Sequence, residues 1–508
     1  MNLRTTALAA ASGILLAASF PSVALPVLAW IALIPLFLAL NGQNVRNGLL
    51  LGGISGIVFF AGTVHWVTNS VHYYGNVPII PASLITLLLC AYLALYPALF
   101  ASLVVHVRRH RPSLLFIAAP ALWTALELAR TYVFSGFPWA LLGYTQYRIL
   151  PVIQISDMTG VYGVSFLIVL VNASISEFIR DRKKIAVLLT AVVILSLTLG
   201  YGFSRLHADE GTDRIRISVV QGNIEQDKKW DPAYQSETIS VYKRLTSEAL
   251  GQKPDLVLWP ETATPFYFGG VAPRDQQMTK ELEEFVKQGG VPILFGSPTY
   301  EVRGRGSVIL RNSAFLVRSD GEIDAEYDKF HLVPFGEYVP LKDVLFFVKK
   351  MVQAIGDFAS GTEFTVMKVP VRGADGKSVT ISTVICYEII FPDLVRRFVD
   401  RGASVITTIT NDAWFGKTSA PNQHFTMAVF RAVENRVPVA RAANTGISGF
   451  IDAKGRILSA SPIFTEAYMS QTLSPGSEKT FYTRYGDVFS YLCCLVGILV
   501  LVKPRSRV

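Results

Sequence analysis

Cys386 is the residue in this chain with the clearest capacity for covalent chemistry. It follows a run rich in β-branched residues, 379–385, which predicts a strand. Of the four cysteines, it alone lies between the apolar ends of the chain, so it cannot form an internal disulfide there. A lone thiol in this position is either inert or a nucleophile, and the thiolate is the form that attacks.

Two charged residues also follow predicted strands. Glu261 comes after Leu-Val-Leu-Trp-Pro at 256–260, and Lys329 lies in the stretch 327–337. Functional side chains of α/β sheets collect beyond the carboxyl ends of strands, so we expect both residues near Cys386. A carboxylate can take the thiol proton, and an ammonium can stabilise the oxyanion of a tetrahedral intermediate. These residue types suit acyl transfer through a thioester, and a partly desolvated pocket should raise the pKa of Glu261.

The elements that must position these residues lie between 206 and 483, where strand-like and helix-like stretches alternate. This alternation indicates an α/β layered domain, long enough to bury a core of its own. Predicted strands cover residues 215–220, 255–258, 292–295, 379–385, 405–409 and 437–440. Predicted helices include residues 237–250, 277–287 and 423–434.

The two ends of the chain predict a polytopic membrane protein. Its 508 residues are 51% hydrophobic with a mean hydropathy of +0.38, which is too apolar for a soluble protein. About eight stretches approach the length that spans a bilayer, and they must be helical because lipid satisfies no backbone polar group. They cover residues 5–22, 25–41, 47–68, 80–106, 113–133, 160–179, 185–203 and 485–502. Residues 1–205 then form a bundle of about seven spans, and residues 484–508 a last helix with a basic tail.

The first two spans leave alternatives open. They are short and separated only by residues 21–24, so they could form a re-entrant hairpin. The first could instead be a signal peptide, with residues 22–24 as a cleavage-like site.

Basic residues predict the orientation. They occur at Arg4, at Arg46 and within 108–111, 180–184 and 503–507, which all fall on one side of an eight-span arrangement. That side, with both termini, is predicted to be cytoplasmic, and residues 206–483 lie on the opposite side. These anchors also explain much of the net charge of +9, so no nucleic-acid partner is predicted.

Metal and nucleotide sites are not predicted. The seven histidines do not cluster, and no glycine-rich phosphate-binding pattern lies between a strand and a helix. Cys90, Cys493 and Cys494 fall inside predicted spans and are interpreted as small apolar residues.

Glu261, Lys329 and Cys386, in this order and with these flanks, resemble the Glu-Lys-Cys triad of the nitrilase (carbon–nitrogen hydrolase) superfamily. Residues 431–436 are similar to that superfamily as well. The resemblance implies that the α/β domain is an α-β-β-α sandwich, and that the three residues are catalytic.

A membrane bundle joined to such a domain resembles the bacterial apolipoprotein N-acyltransferases. The similar stretches are 259–262, 327–340, 411–416, 127–130, 136–139 and 143–144. This resemblance implies an enzyme of the bacterial inner membrane, with its catalytic domain on the periplasmic side and without a cofactor. It would transfer an acyl chain from a phospholipid to the diacylglyceryl-cysteine amine of an apolipoprotein, and a monomer is the default.

Two other functions stay open. One is a membrane-anchored amidase or nitrile hydrolase that uses the same triad. The other is a transporter or scaffold with an inactive nitrilase-like domain, although an intact triad argues against it.

Several residues are predicted to support the triad. Glu337 would orient Lys329, and the backbone N–H near Tyr387 would complete the oxyanion site. Glu388 either acts in the site or holds the turn after the strand by a salt bridge. His331 is predicted to be structural and hydrogen-bonded to the backbone. Asn411 is either a site contact or a turn residue.

Substrate contacts are predicted in aromatic segments. Trp230, Trp414 and Phe415 are candidates, with plain packing as the alternative for the last two. Phe346 and Phe347 lie in an apolar, lysine-containing stretch, 341–352, that is typical of an interfacial helix. Together with the loop 266–270, this stretch is predicted to face the bilayer and admit acyl chains.

Two charged residues inside the fifth predicted span are Glu127 and Arg130. Charges in a span are costly, which makes them candidates for function. Their spacing of three residues also allows a mutual ion pair, and we predict a structural pair near the outer leaflet.

Overall fold

The computed structural model describes residues 2–209, 211–303, 307–338, 358–374 and 376–502. Apolar helices form the N-terminal part up to His207, and the first strand begins at Ile215. The helices α1–α10 are Leu3–Ala18, Ile34–Ala39, Val45–Val64, Trp66–Asn69, Ile79–His110, Leu115–Tyr132, Leu150–Ile153, Ser156–Thr159, Val161–Arg180 and Ile185–His207.

Among the described residues, five helical segments are long and apolar enough to cross a membrane, and they contain α3, α5, α6, α9 and α10. Three shorter apolar segments, Leu3–Ala18, Pro26–Ala39 and Val488–Leu501, cover the other predicted spans, so the count of eight stays a prediction. The second predicted span, 25–41, is wrong as one continuous helix, because a 3-10 turn, Pro26–Trp30, precedes α2. A proline lies in the first turn of each piece, where its missing N–H interrupts the hydrogen bonds of a longer helix.

Among the described residues, twelve strands and five further helices form the domain that follows the bundle, before two C-terminal helices. The strands β1–β12 are Ile215–Gln221, Leu256–Leu258, Ile293–Arg303, Ser307–Val317, Ile323–Asp328, Met367–Pro370, Ser378–Ile385, Val405–Thr410, Val439–Ala443, Gly449–Ile451, Ile457–Ala460 and Ala467–Leu473. The helices α11–α17 are Gln226–Lys229, Gln235–Leu250, Pro273–Gly289, Pro392–Asp400, Ala420–Asn435, Phe481–Tyr485 and Val488–Leu501.

Two six-stranded sheets make up the centre of this domain, in the orders β12-β1-β2-β3-β4-β5 and β11-β10-β9-β8-β7-β6. Parallel pairs join β1, β2 and β3 in one sheet and β7, β8 and β9 in the other, and antiparallel strands flank them. Side chains alternate along a strand, so Val219 packs toward the second sheet while Val220 packs against α12 and α13. With α14 and α15 against the second sheet, the layers are helix, sheet, sheet and helix.

Helix α15 also contributes contacts between this domain and the bundle. All its residues except Asn422 are buried. The Gln423 side chain accepts a hydrogen bond from Trp139 Nε1 at 2.6 Å and donates one to the Thr63 carbonyl at 3.0 Å. Glu434 accepts from the backbone N–H of Val161, where α9 begins, at 3.0 Å. Buried hydrogen bonds of this kind fix how the domain sits on the bundle.

The predicted Glu127–Arg130 ion pair is wrong. Both residues are described and buried, and their charges act on each other through space but make no direct contact. Glu127 accepts hydrogen bonds from the indole N–H of Trp123 (2.9 Å) and from the backbone N–H of Leu142 (2.7 Å). Arg130 instead donates to the backbone carbonyl of Trp139 at 2.7 Å. The irregular segment after α6 offers backbone groups that compete with a Glu127–Arg130 contact. Glu127 and Arg130 therefore each form their own hydrogen bond to the backbone of that segment.

Candidate active site

Three strand ends bring the predicted triad together. Glu261 lies three residues beyond β2, Lys329 directly follows β5, and Cys386 directly follows β7. The first two strands belong to one sheet and the third to the other, so the residues meet where both sheets end. All three side chains are buried, and the Cys386 thiol interacts electrostatically with both charged partners.

Lys329 is held between two carboxylates. Its Nζ lies 2.8 Å from Glu337 Oε1 and 3.3 Å from Glu261 Oε1. Burial alone would lower the pKa of Lys329, but Glu337 and Glu261 raise it above its ordinary value. Lys329 therefore stays an ammonium and is suited to stabilise an anion beside Cys386. Glu337 contacts Lys329, its orienting role stays a prediction, and it also accepts from the N–H of Val333 at 2.7 Å.

Glu261 is fixed as a carboxylate. Its Oε1 accepts from Asn312 Nδ2 at 2.8 Å, and its Oε2 accepts from the backbone N–H of Asn411 at 2.9 Å. Burial raises the pKa of Glu261, but the Lys329 ammonium and the Asn312 hydrogen bond hold it below its usual value. The expected rise of this pKa is therefore wrong, because the sequence could not reveal how many donors surround the carboxylate. Glu261 remains ionised and ready to accept a proton.

Cys386 sits in a tight backbone turn. Its φ of 53° lies in the left-handed region that non-glycine residues seldom adopt, and a 3-10 turn, Cys386–Ile390, follows. Burial and the Glu261 carboxylate raise the pKa of the thiol, and Lys329 opposes the rise. The resting thiol is therefore protonated, and its proton must leave as the sulfur attacks. Tyr387 is the second residue of the turn, a position whose N–H has no acceptor within a helix.

A histidine that sequence reasoning missed holds this turn in place. His424 of α15 is fully buried, and its Nε2 lies 3.2 Å from the Cys386 carbonyl oxygen. A carbonyl only accepts, so Nε2 carries the proton. Burial and Arg441 lower the pKa of His424, and its Nδ1 lies 3.0 Å from both Arg441 and Asp412 Oδ1. Asp412 in turn accepts from Arg441 at 2.8 Å, which fixes the guanidinium.

Glu388 holds the same turn from the other side. Its Oε2 accepts from the N–H of Ile385 at 2.6 Å, and its Oε1 accepts from the N–H groups of Phe330 (2.6 Å) and His331 (3.0 Å) and from the Tyr327 hydroxyl (2.8 Å). Burial raises the pKa of Glu388 to about 7 despite these donors. The carboxylate connects the loop of Lys329 to the turn of Cys386 by hydrogen bonds to backbone N–H groups, and the predicted alternative of a salt bridge is wrong.

Asn411 lies in the site and also bridges to α11. Besides its N–H to Glu261, its side chain donates to Gln226 Oε1 at 2.7 Å and accepts from Asn444 Nδ2 at 3.1 Å. Asn312 was not predicted, because it lies in the middle of β4, a strand that the sequence did not mark. Its amide donates to both Glu261 and Glu337, the latter at 3.0 Å.

Lys229, the neighbour of the predicted Trp230, reaches the triad. Its Nζ donates to the Glu261 carbonyl oxygen at 3.1 Å, and its side chain is buried. Trp230 is half-buried at the end of α11, and its substrate contact stays a prediction.

Trp414 and Phe415 pack against the membrane part. Ser70 donates to the Trp414 carbonyl at 2.7 Å, and the Trp414 ring lies 5.0 Å from that of Tyr74. Phe415 lies 4.8 Å from the Trp66 ring. The packing interpretation thus describes the contacts that the structure contains, and a role in substrate binding stays a prediction.

The two segments predicted to face the bilayer have different outcomes. Phe346 and Phe347 lie outside the described residues. For the loop 266–270 the prediction is wrong, because Phe266 and Phe268 are buried in the domain core. Phe268 packs 4.9 Å from Phe295, since the loop folds back over the first sheet.

A cavity of about 320 Å³ lies beside the Lys329 loop. It is lined by Ser135, Phe330, His331, Leu332, Tyr338, Phe358 and Ser360. The His331 ring centroid lies 3.8 Å from that of Phe391, with the rings tilted by 35°, and burial, reinforced by Lys329, lowers the pKa of His331 to about 4. The ring is therefore neutral, and its hydrogen bond to the Ser135 backbone is consistent with the structural interpretation of His331.

Known proteins resemble both parts of the chain. Residues 12–174 match the apolipoprotein N-acyltransferase N-terminal domain, and residues 216–480 match the carbon–nitrogen hydrolase family. An apolipoprotein N-acyltransferase of Geobacter metallireducens is 45% identical and covers 98% of this chain and 95% of its own length. Those of Methylococcus capsulatus (34% identical, 98% and 96% covered) and Pasteurella multocida (33% identical, 93% and 90% covered) are also similar.

Among solved structures, a nitrilase-superfamily amidase from Nesterenkonia AN1 is 20% identical. It covers 51% of this chain and 90% of its own, with a TM-score of 0.38.

Proposed function

The chain belongs to the apolipoprotein N-acyltransferase family, and from this premise we propose that it transfers an acyl chain from a membrane phospholipid to lipoproteins. The acceptor is the α-amino group of their N-terminal diacylglyceryl-cysteine. The observation that carries the mechanism is the buried cluster in which Lys329 Nζ contacts Glu261 and Glu337 beside Cys386. A nucleophile, a base and a fixed positive charge are the groups that acyl transfer needs.

In the first step, Cys386 takes the acyl chain. Glu261 removes the thiol proton while the sulfur attacks the ester carbonyl of the phospholipid. Lys329 and the N–H of Tyr387 stabilise the resulting oxyanion. The ester C–O bond then breaks, and Glu261 returns the proton to the departing lysophospholipid oxygen.

In the second step, the lipoprotein amine attacks the thioester. Glu261 takes one proton from the amine nitrogen, and the C–S bond breaks as the amide forms. The departing thiolate recovers the proton from Glu261, which restores the resting site. The buried surroundings of all three side chains favour the amine over water by limiting solvent at the thioester.

The surroundings of the triad support a lipid donor. The cavity beside Lys329 is lined mainly by apolar and aromatic residues and includes Ser135 of the membrane part. The neighbouring Phe134 is 76% exposed on the same loop. An acyl chain that enters along this loop would reach the cavity beside the Lys329 loop, and the lining predicted at Trp230, Trp414 and Phe415 would contact the substrates.

The distribution of basic residues supports the proposed orientation. Arg108 and Lys184 both pair with Glu177, and Arg109 donates to the Gln43 carbonyl at 2.9 Å, so these basic residues meet at one end of the bundle. Basic ends of spans remain cytoplasmic. We therefore assign residues 1–205 to a membrane domain, 206–483 to a periplasmic catalytic domain and 484–508 to a last span with a cytoplasmic tail.

The test is mass spectrometry of the full-length protein in phospholipid nanodiscs. We expect a fatty-acyl adduct on Cys386 that disappears when a diacylglyceryl-cysteine peptide is added, with the acyl chain recovered on the peptide amine. Cys494, which is half-buried on α17, serves as an internal control and should carry none.

Two outcomes contradict the proposal. If no Cys386 adduct forms in nanodiscs, the thioester mechanism is wrong. If the adduct forms but releases free fatty acid and leaves the peptide unmodified, the protein is a hydrolase, as the amidase alternative requires.

A further inference from the structure

Two consecutive lysines in α11 have opposite environments. Lys228 is exposed and pairs with Glu225 at 2.9 Å on the protein surface. Lys229 is 1% exposed, and its Nζ donates to the Glu261 carbonyl oxygen at 3.1 Å. Burying an ammonium costs several kcal/mol unless nearby anions offset the cost, so its position beside the triad needs a reason.

The charges of the site supply that reason. Glu261 and Glu337 carry two negative charges, and Lys329 carries one positive charge. These three groups alone sum to a net charge of −1 before Cys386 reacts. In a medium of low dielectric constant, an excess negative charge opposes both a thiolate and an oxyanion. Lys229 adds a positive charge that offsets this excess, and the titratable groups that act on it are Glu261 and Cys386.

We propose that Lys229 is a second active-site cation, which stabilises the anionic states of Cys386 through space and positions Glu261 through its carbonyl oxygen. This inference rests on the proposed function, because it assigns a role within the same acyl transfer. Lys229 forms no bond to the acyl group and passes on no proton. It is a positioning residue, distinct from Lys329, whose Nζ contacts both carboxylates.

The fold fixes Lys229 in this position. Helix α11 is joined to the site a second time, because Gln226 accepts from the Asn411 side chain. The Asn411 N–H in turn bonds to Glu261. The helix therefore approaches Glu261 from both its carbonyl and its carboxylate side.

The protonation of Lys229 gives the role a pH signature. Burial lowers its pKa to about 8, although Glu261 and Cys386 act in the opposite direction. The ammonium is present below that pH and is lost as the pH rises through it. Its support for the Cys386 anion should therefore fade above about pH 8, whereas an arginine would keep its charge.

The experiment measures alkylation of Cys386 by iodoacetamide in the full-length protein between pH 6 and 9.5, by peptide mass spectrometry. We expect Lys229→Met to slow alkylation at pH 7.5 about ten-fold, which corresponds to a rise of one unit in the thiol pKa. Lys229→Arg should restore most of the rate. The matched control, Lys228→Met, removes the exposed neighbour and should alkylate like the wild type.

Equal alkylation of Lys229→Met and the wild type across the pH range would overturn the proposal. If Lys229→Met fails to fold, the rate ratio of Lys229→Arg to wild type decides: it should increase as the pH passes about 8, and a constant ratio refutes the role. Acyl-adduct formation by the wild type is scored separately. Its absence would count against the proposed function, while the alkylation rates would still test Lys229.

Discussion

Two buried cations, Lys329 in the catalytic domain and Arg130 in the bundle, are satisfied in different ways. Lys329 lies between the carboxylates of Glu261 and Glu337. Arg130 donates to the carbonyl oxygens of Trp139 (2.7 Å) and Ala140 (3.3 Å). Both side chains are almost fully buried, so burial alone does not distinguish them.

The difference lies in what the partners can do. Backbone carbonyls cannot change their charge, so these hydrogen bonds of Arg130 fix a chain segment. Carboxylates can accept protons, so the carboxylates around Lys329 can change their protonation state during a reaction. We therefore expect substitutions at the first cluster to abolish turnover and substitutions at the second to lower stability.

The largest effect should come from Glu261→Gln. Glutamine keeps an oxygen for Asn312 and Lys329 but cannot take the thiol proton. We expect the rate of Cys386 acylation per folded molecule to fall by about 10³-fold. The exposed Glu225→Gln is the matched control. If Glu261→Gln lowers the amount of folded protein but not the activity per folded molecule, the Lys329 cluster is structural, like the surroundings of Arg130.

The pH dependence tests the same residue. Because the pKa of Glu261 is held below its usual value of 4.5, the base stays ionised as the solution is acidified. Acylation of Cys386 should persist at pH 5 and fall only below the ordinary carboxyl range. Acylation that is already lost as the pH falls from 7 to 6 would show that a group of higher pKa, such as Glu388, limits the reaction.

A smaller loss should follow Glu337→Gln. The amide keeps one contact to Lys329 but removes a charge that holds the ammonium in place. We expect about a 10²-fold slower acylation, since preorganised electrostatics decline while the base and nucleophile remain. An activity within two-fold of wild type would mean that Glu261 alone orients Lys329.

His424 tests whether the backbone turn of Cys386 matters. His424→Ala removes the Nε2 donor to the Cys386 carbonyl, and we expect about ten-fold slower acylation. His424→Gln can offer an N–H from a similar position and should recover part of the rate. If both variants lose the same activity with the same fall in melting temperature, His424 serves packing only.

The smallest effect on turnover should come from Arg130→Met. Two hydrogen bonds from a charged donor disappear, and we expect the free energy of unfolding to drop by about 3 kcal/mol. Activity per folded molecule should stay within two-fold of wild type. A large loss per folded molecule would show that the segment of Trp139 transmits its position to the active site.

Much of the catalytic fold could be predicted from the sequence, because its central strands are short apolar runs. The predicted strands at 215–220 and 405–409 correspond closely to β1 and β8. The antiparallel strands that flank the parallel ones, such as β4 and β5, were not predicted, and the reason is physical. In β5, for example, Ile323 to Ala325 are not buried, so the apolar alternation is weak, and the pairing depends on β4.

Only those site residues could be predicted whose type is itself reactive or charged and whose position at the end of a strand is visible in the sequence. Cys386, Glu261 and Lys329 follow strands, and that position is visible in the sequence. Asn312, Lys229 and His424 are supplied by the middle of a strand, a short helix and a helix shared with the bundle. Their roles depend on distances between segments far apart in the chain, for which local pattern offers no signal.

Helix α15 limits how this protein can be divided. One of its sides covers the second sheet and the other touches the bundle, so cutting the chain between α10 and β1 would bare an apolar surface to water. It would also remove the bundle residues that pack against α15, which carries His424. The hydrogen bond from His424 that holds the backbone turn of Cys386 would then be lost. The catalytic domain should therefore aggregate when it is expressed alone. The reaction can be studied only with the bundle attached.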